Sequence, residues 1–260
     1  MLDNESGALI SDRLERIGVL DIGNEEKNAV DILHEHLRTE PRCDWSDCLI
    51  VTPEAINARP SYSNNARIDD SITEALQALS LEFRVALVAG LVDKDGYNCA
   101  CLIDRGVCLG TLSRKSGRDN SSAYKACTVN CDSPRLHRGV WLSALVCMDA
   151  ALPTDTTALL ENKRRHQFLL ECATSSSAVP HVLCVPARFD RQHPQSVATH
   201  WSSLSNPIVV AIANLSQAHP SVIRLANEDE PHVYGEVFPG NRRPTNIVHS
   251  LPLRADAGPT

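Results

Sequence analysis

Apolar and polar positions along the chain alternate between two periods. Ile17-Gly18-Val19-Leu20-Asp21-Ile22 reads as a first strand, and Gly23-Asn24 breaks it. Asn24 can then cap a helix with Glu25 and Glu26 in its first turn. Ala29, Val30, Ile32, Leu33 and Leu37 recur at helical spacing up to Pro41, so this helix carries one core-facing stripe. A second strand runs through Leu49-Ile50-Val51 to Pro53-Glu54, and Ile72, Ala75, Leu76 and Leu79 mark a second amphipathic helix. Val85 to Val92 is an almost unbroken apolar run, the pattern of a strand covered on both faces. The turn signals Asp95-Gly96 and Asp104-Arg105-Gly106 fold Tyr97–Ile103 and the strand leading to Lys115 into a meander.

Residues 116–135 read as a surface loop, and Gly139 to Val146 as the strand before Cys147. A third helix is predicted over Leu159–Cys172, with buried strands at Val182–Pro186 and Ile208–Ala213. Beyond Ser221 the pattern weakens. Alternation of strands and helices with a central meander predicts an α/β protein with mixed sheets in three or four layers. The 260 residues fit one large domain, 1–260, with the first 15 residues and 254–260 as loose ends; two smaller units also fit the length.

Charge and cysteine usage narrow the function classes. A net charge of −7 argues against nucleic acid or an anionic membrane surface as the main partner. The N-terminus lacks the basic start and apolar core of a signal peptide, so a cytoplasmic location is expected. With 43% hydrophobic residues, the chain has enough core to make a disulfide scaffold from its 10 cysteines unnecessary. Cys48, Cys108 and Cys184 sit in strand-like runs as small buried apolar residues would. Cys99, Cys101, Cys127, Cys131 and His137 are ligand types, but their spacing matches no zinc pattern, and no metal site is predicted.

Three strand ends carry chemistry: Val51-Thr52-Pro53-Glu54, Ser113-Arg114-Lys115 and Val146-Cys147-Met148-Asp149. A carboxylate, an amine and a thiol so placed suggest a thiol-based hydrolase. Taken singly, each also fits a structural role: a turn-capping carboxylate, a solvated lysine, a buried thiol. In this order the motifs, with Ala89-Gly90-Leu91, Asp95-Gly96-Tyr97-Asn98 and Val182–Ala187, resemble the carbon–nitrogen hydrolase (nitrilase) superfamily from about Ile17 to Asn214.

The resemblance implies a four-layer α-β-β-α sandwich that pairs into homodimers or larger homo-oligomers, and a mechanism without cofactor. It implies Glu54 as general base, Lys115 as electrostatic stabiliser and Cys147 as nucleophile, with the Met148 backbone N–H as oxyanion donor. By the same analogy Ala187, Arg188 and Phe189 line the substrate site, and Arg188 can pair with a substrate carboxylate. Cys-x-Asp favours a small-amide or carbamoyl amidase working through a thioester over a nitrilase working through a thioimidate.

Three departures from the family pattern stand out. Met148 replaces an aromatic residue. No glutamate lies between Lys115 and Cys147, where Asp119 or Asp132 could substitute, and Ser216–Ser221 replaces a Gly/Ser-rich strand start. They motivate an alternative expectation, a catalytically weakened member acting as a binding or regulatory subunit.

Overall fold

The computed structural model describes residues 12–22, 28–40, 44–59, 67–116, 125, 127, 134–152, 180–189, 191–203, 208–216, 218–225, 231–234, 236–238, 241–243 and 249–252. The first half builds one sheet. It runs β1 (Arg16–Val19), helix α1 (Ala29–Thr39), β2 (Cys48–Val51), the two-residue pair β3 (Ala58–Arg59) and β4 (Arg67–Ile68), then helix α2 (Asp70–Phe83). The meander β5 (Ala86–Val92), β6 (Asn98–Asp104) and β7 (Val107–Arg114) follows. The second half builds another sheet from β8 (Arg135–His137), β9 (Val140–Ala144), β10 (His181–Ala187), helix α3 (Pro194–Ser203), β11 (Ile208–Asn214), β12 (Ser221–Arg224) and β13 (His232–Tyr234). The ribbon β14 (Glu236–Phe238) and β15 (Asn241–Arg243) leads to β16 (His249–Pro252), which returns to the first sheet.

The sheet orders are β16-β1-β2-β5-β6-β7 and β13-β12-β11-β10-β9-β8. Each has a parallel trio at its centre, β1-β2-β5 and β9-β10-β11, with antiparallel strands on either side. Parallel neighbours need a crossover, and α1 and α3 supply two of them on the outer faces.

Strand alternation explains the layering. Leu49 and Val51 face the second sheet and join a core with Leu142, Val182 and Val209, whereas Cys48 and Ile50 point outward onto Leu33, Leu37, Leu76 and Leu79 of the helices. Val197, Ala198 and Trp201 of α3 close the far side of the second sheet. The result is the α-β-β-α sandwich. Each fully buried Leu or Val contributes about 1.5–3 kcal/mol of transfer free energy. No helix among the described residues is long and apolar enough to cross a membrane.

Several expectations change. The cap of α1 is Asn28, whose side chain accepts from the Val30 N–H at 2.8 Å; Asn24 lies four residues upstream of it, outside the described residues. Asp69 caps α2, and the helix ends where Arg84 enters the left-handed region at φ 56°. Cys48 and Cys184 are buried as expected, but Cys108 is exposed: it stands with Val107 and Leu109 on β7, the edge strand of its sheet among the described residues. Helix α3, β8 and the strands beyond Ser221 were not predicted. The helix predicted over Leu159–Cys172 and most of both loose ends lie outside the described residues.

Candidate active site

Glu54 stands in the turn that follows β2. Thr52 fastens this turn to β5 twice, its N–H donating to Val88 O at 3.0 Å and its Oγ1 accepting from the Gly90 N–H at 3.1 Å. The Ile56 N–H then donates to Gly90 O at 3.0 Å, and the Asn57 amide exchanges hydrogen bonds with Val92. Gly90 is glycine for space. A Cβ there would lie 2.2 Å from Pro53 O, 2.6 Å from Glu54 Cα and 2.8 Å from Pro186 Cβ.

Lys115 follows directly on β7. Its N–H donates to Asn98 O at 2.8 Å, and its Nζ lies 3.7 Å from Glu54 Oε2. The same carboxylate oxygen accepts from Asn98 Nδ2 at 3.2 Å. Glu54 is 8% exposed and Lys115 6%, so the pair acts in a medium where charges are poorly screened.

Cys147 comes from the other sheet. The Leu145 N–H donates to Cys184 O at 3.1 Å, holding the end of β9 against β10, and a short 3-10 turn, Cys147–Asp149, follows. Cys147 opens that turn at φ 48°, a left-handed conformation that costs a residue with a Cβ about 1 kcal/mol or more. Surrounding bonds hold it there: Ala150 N–H to Cys147 O at 2.9 Å, and Trp201 Nε1 of α3 to Ala150 O at 2.8 Å.

Sγ lies 3.7 Å from Arg188 O, near enough to Glu54 and Lys115 for their charges to act on it. Burial, reinforced by the negative charge of Glu54 and opposed by Lys115, pushes the thiol well above its ordinary pKa. The Cys147 side chain is therefore held as the neutral thiol.

The three residues from three strand ends thus meet at one locus. Met148 is half exposed beside the thiol, and its N–H lies in the first turn of the 3-10 segment, where helical N–H groups have no intrahelical acceptor. At the end of β10, Ala187 and Phe189 are buried while Arg188 is exposed; the main chain at Arg188 is what reaches the thiol. Asn214 braces this segment, accepting from the Phe189 N–H at 2.6 Å. Asp119, Asp132 and Asp190 lie outside the described residues. Among the described residues no group of three or more His, Cys, Asp or Glu side chains is placed to hold a metal ion.

Sequence reasoning used Asp149 only as part of the Cys-x-Asp motif and missed how it ties the strand ends together. Asp149 accepts from the Ser116 N–H at 2.7 Å and from Ser116 Oγ at 2.6 Å, linking the turn after the thiol to the residue after Lys115. Its only signal was its place two residues beyond Cys147. Asp149→Ala removes both bonds to a carboxylate and is expected to cost about 2 kcal/mol. Urea denaturation checks this, and an unchanged midpoint would show that the link carries no stability.

No family model and no curated protein matches the sequence. Solved structures do match. A cysteine-to-alanine variant of the Nesterenkonia AN1 amidase of the nitrilase superfamily aligns at 17% identity and TM-score 0.62, covering 93% of this chain and 91% of that one. The amidase from Nesterenkonia sp. aligns at 19% identity and TM-score 0.57, covering 95% and 94%. A glutamate variant of that amidase, with the acetamide moiety of fluoroacetamide added covalently at the active-site cysteine, aligns at 18% identity and TM-score 0.60, covering 93% and 91%. The fold of this chain is that of the nitrilase superfamily.

Proposed function

We propose that the protein is a thiol-dependent hydrolase of non-peptide C–N bonds, acting on a small amide or carbamoyl compound through Glu54, Lys115 and Cys147. The observation that carries the reading is the meeting of a buried carboxylate, a buried ammonium and a thiol on a strained turn, in a nitrilase-superfamily fold. The similar solved structures are amidases, which supports amide over nitrile as the substrate.

Glu54 takes the thiol proton as Sγ attacks the substrate carbonyl carbon, because burial keeps the thiol neutral until then. The carbonyl oxygen becomes an oxyanion held by Lys115 Nζ and the Met148 N–H, the kind of donor whose loss costs about 10²–10³ in rate. Glu54 returns the proton to the departing nitrogen, the C–N bond breaks, and a thioester remains on Cys147. With Glu54 again as base, water attacks the thioester, releasing a carboxylic acid and restoring the thiol. A nitrile would take the same route through a thioimidate. Ala187, Arg188 and Phe189 form the substrate side, where the arginine can pair with a carboxylate. No cofactor enters this scheme, and a cytoplasmic homo-oligomer is part of the same proposal.

The test is a panel of small amides and nitriles, read by ammonia release and by intact mass. A turned-over amide should leave an acyl adduct on Cys147, and Cys147→Ala should abolish both signals. If no compound releases ammonia or forms an adduct, the hydrolase reading fails and the binding-subunit alternative, motivated by the glutamate-free stretch before Cys147, takes its place.

A further inference from the structure

Asn98 opens β6 and is fully buried, a strong polar group on a strand whose residues are all buried. Its side-chain amide donates to Glu54 Oε2 at 3.2 Å, while its backbone carbonyl accepts the N–H of Lys115 at 2.8 Å. Facing a carboxylate, the amide must present its NH₂ edge. That orientation leaves Asn98 Oδ1 buried with no hydrogen-bond partner among the described residues.

A group chosen for the fold alone would satisfy both ends of the amide or be apolar, since a buried unpaired acceptor is costly. The asymmetry is instead what results when one end of the amide is assigned to a single carboxylate. Glu54 sits on a turn after β2 and Lys115 after β7, two strands that are not neighbours in the sheet. Asn98 is hydrogen-bonded to both, by side chain to the first and by main chain to the second.

We infer that Asn98 is the positioning residue of this site, fixing Glu54 and Lys115 in register with each other and so with the thiol. The inference rests on the functional reading above and adds to it the part that sets base and cation in place. The carboxylate it holds is the one that receives the Cys147 proton, so a change at position 98 should be felt at Sγ, on the opposite sheet.

Alkylation of Cys147 by iodoacetamide, followed by peptide mass spectrometry between about pH 6 and 9, tests it without requiring the natural substrate. Asn98→Asp keeps the shape but sets a second carboxylate against Glu54, disfavouring further negative charge at the thiol. Its labelling profile should move to higher pH by about one unit. Asn98→Ala removes the amide's hold on Glu54 and should slow Cys147 labelling about tenfold at fixed pH.

If both variants keep the wild-type far-UV circular dichroism, rate and pH profile, the inference is overturned. If both fail to fold, Asn98 belongs to the fold rather than the site, which overturns it equally. A wild-type protein that forms no acyl adduct on Cys147 with any amide of the panel would instead sink the functional reading, and the inference with it.

Discussion

Lys115→Met should reduce amide turnover by about 10³-fold and also destabilise the protein by about 3–5 kcal/mol. The two effects share one cause. Lys115 Nζ lies 3.7 Å from Glu54 Oε2, and both side chains are more than nine-tenths buried. Methionine keeps the length and apolar bulk of the lysine stem but leaves the carboxylate facing no cation at that distance. Removing one partner of a buried pair is far costlier than removing both, because the remaining charge stays desolvated.

The double variant Lys115→Met/Glu54→Gln should therefore regain most of the lost stability while remaining inactive. Urea denaturation of the four proteins in this cycle, with ammonia release beside it, separates the two effects. A Lys115→Met protein as stable as wild type would mean that the pair is solvated in solution, and the electrostatic account of the site would fall.

Gly90→Ala is expected to lose about 3 kcal/mol or more, a large effect for one added methyl group. The new Cβ would stand 2.2 Å from Pro53 O and 2.6 Å from Glu54 Cα, both backbone atoms that cannot swing aside. Its third neighbour, Pro186 Cβ at 2.8 Å, belongs to β10 of the other sheet. Relief must come from moving the Glu54 turn or parting the sheets. A displacement near 1 Å at a reacting group costs on the order of 10² in rate. A urea midpoint that falls with its slope unchanged, together with such a loss of turnover, is the expected result. A variant with wild-type midpoint and rate would show that Gly90 has room to spare.

The strand ends at Glu54, Lys115 and Cys147 were legible because each closes a run of apolar residues with a polar one, a contrast that survives without any tertiary information. The layers followed from alternation in the same runs. What periodicity does not carry is which strand lies at an edge: Cys108 shares the apolar look of Cys184, yet among the described residues β7 is the edge strand of its sheet and Cys108 is exposed.

The start of α1 was misread because Asn24 and Asn28 are equally good caps, and packing of Ala29 and Val30 decides between them. Helix α3 escaped notice because its buried face is only Pro194, Val197, Ala198 and Trp201. The bonds that hold the site together, Asn98 to Glu54 and Ser116 to Asp149, join residues 44 and 33 positions apart. Sequence spacing carries no trace of them.

The candidate site draws its parts from both sheets, base and cation from one and thiol from the other. Among the described residues no covalent cross-link sets the gap between them; the side chains packed in the central layer do, Val51 and Val88 against Ala144, Val182 and Ala211 among them. Those valines and alanines therefore act as shims. A methyl group added or removed there could leave the protein folded and its melting temperature nearly unchanged, yet carry Sγ out of line with the carboxylate. Chemistry in this molecule would then be a finer gauge of its central packing than stability is, and residues far from any substrate would come under selection as if they touched one.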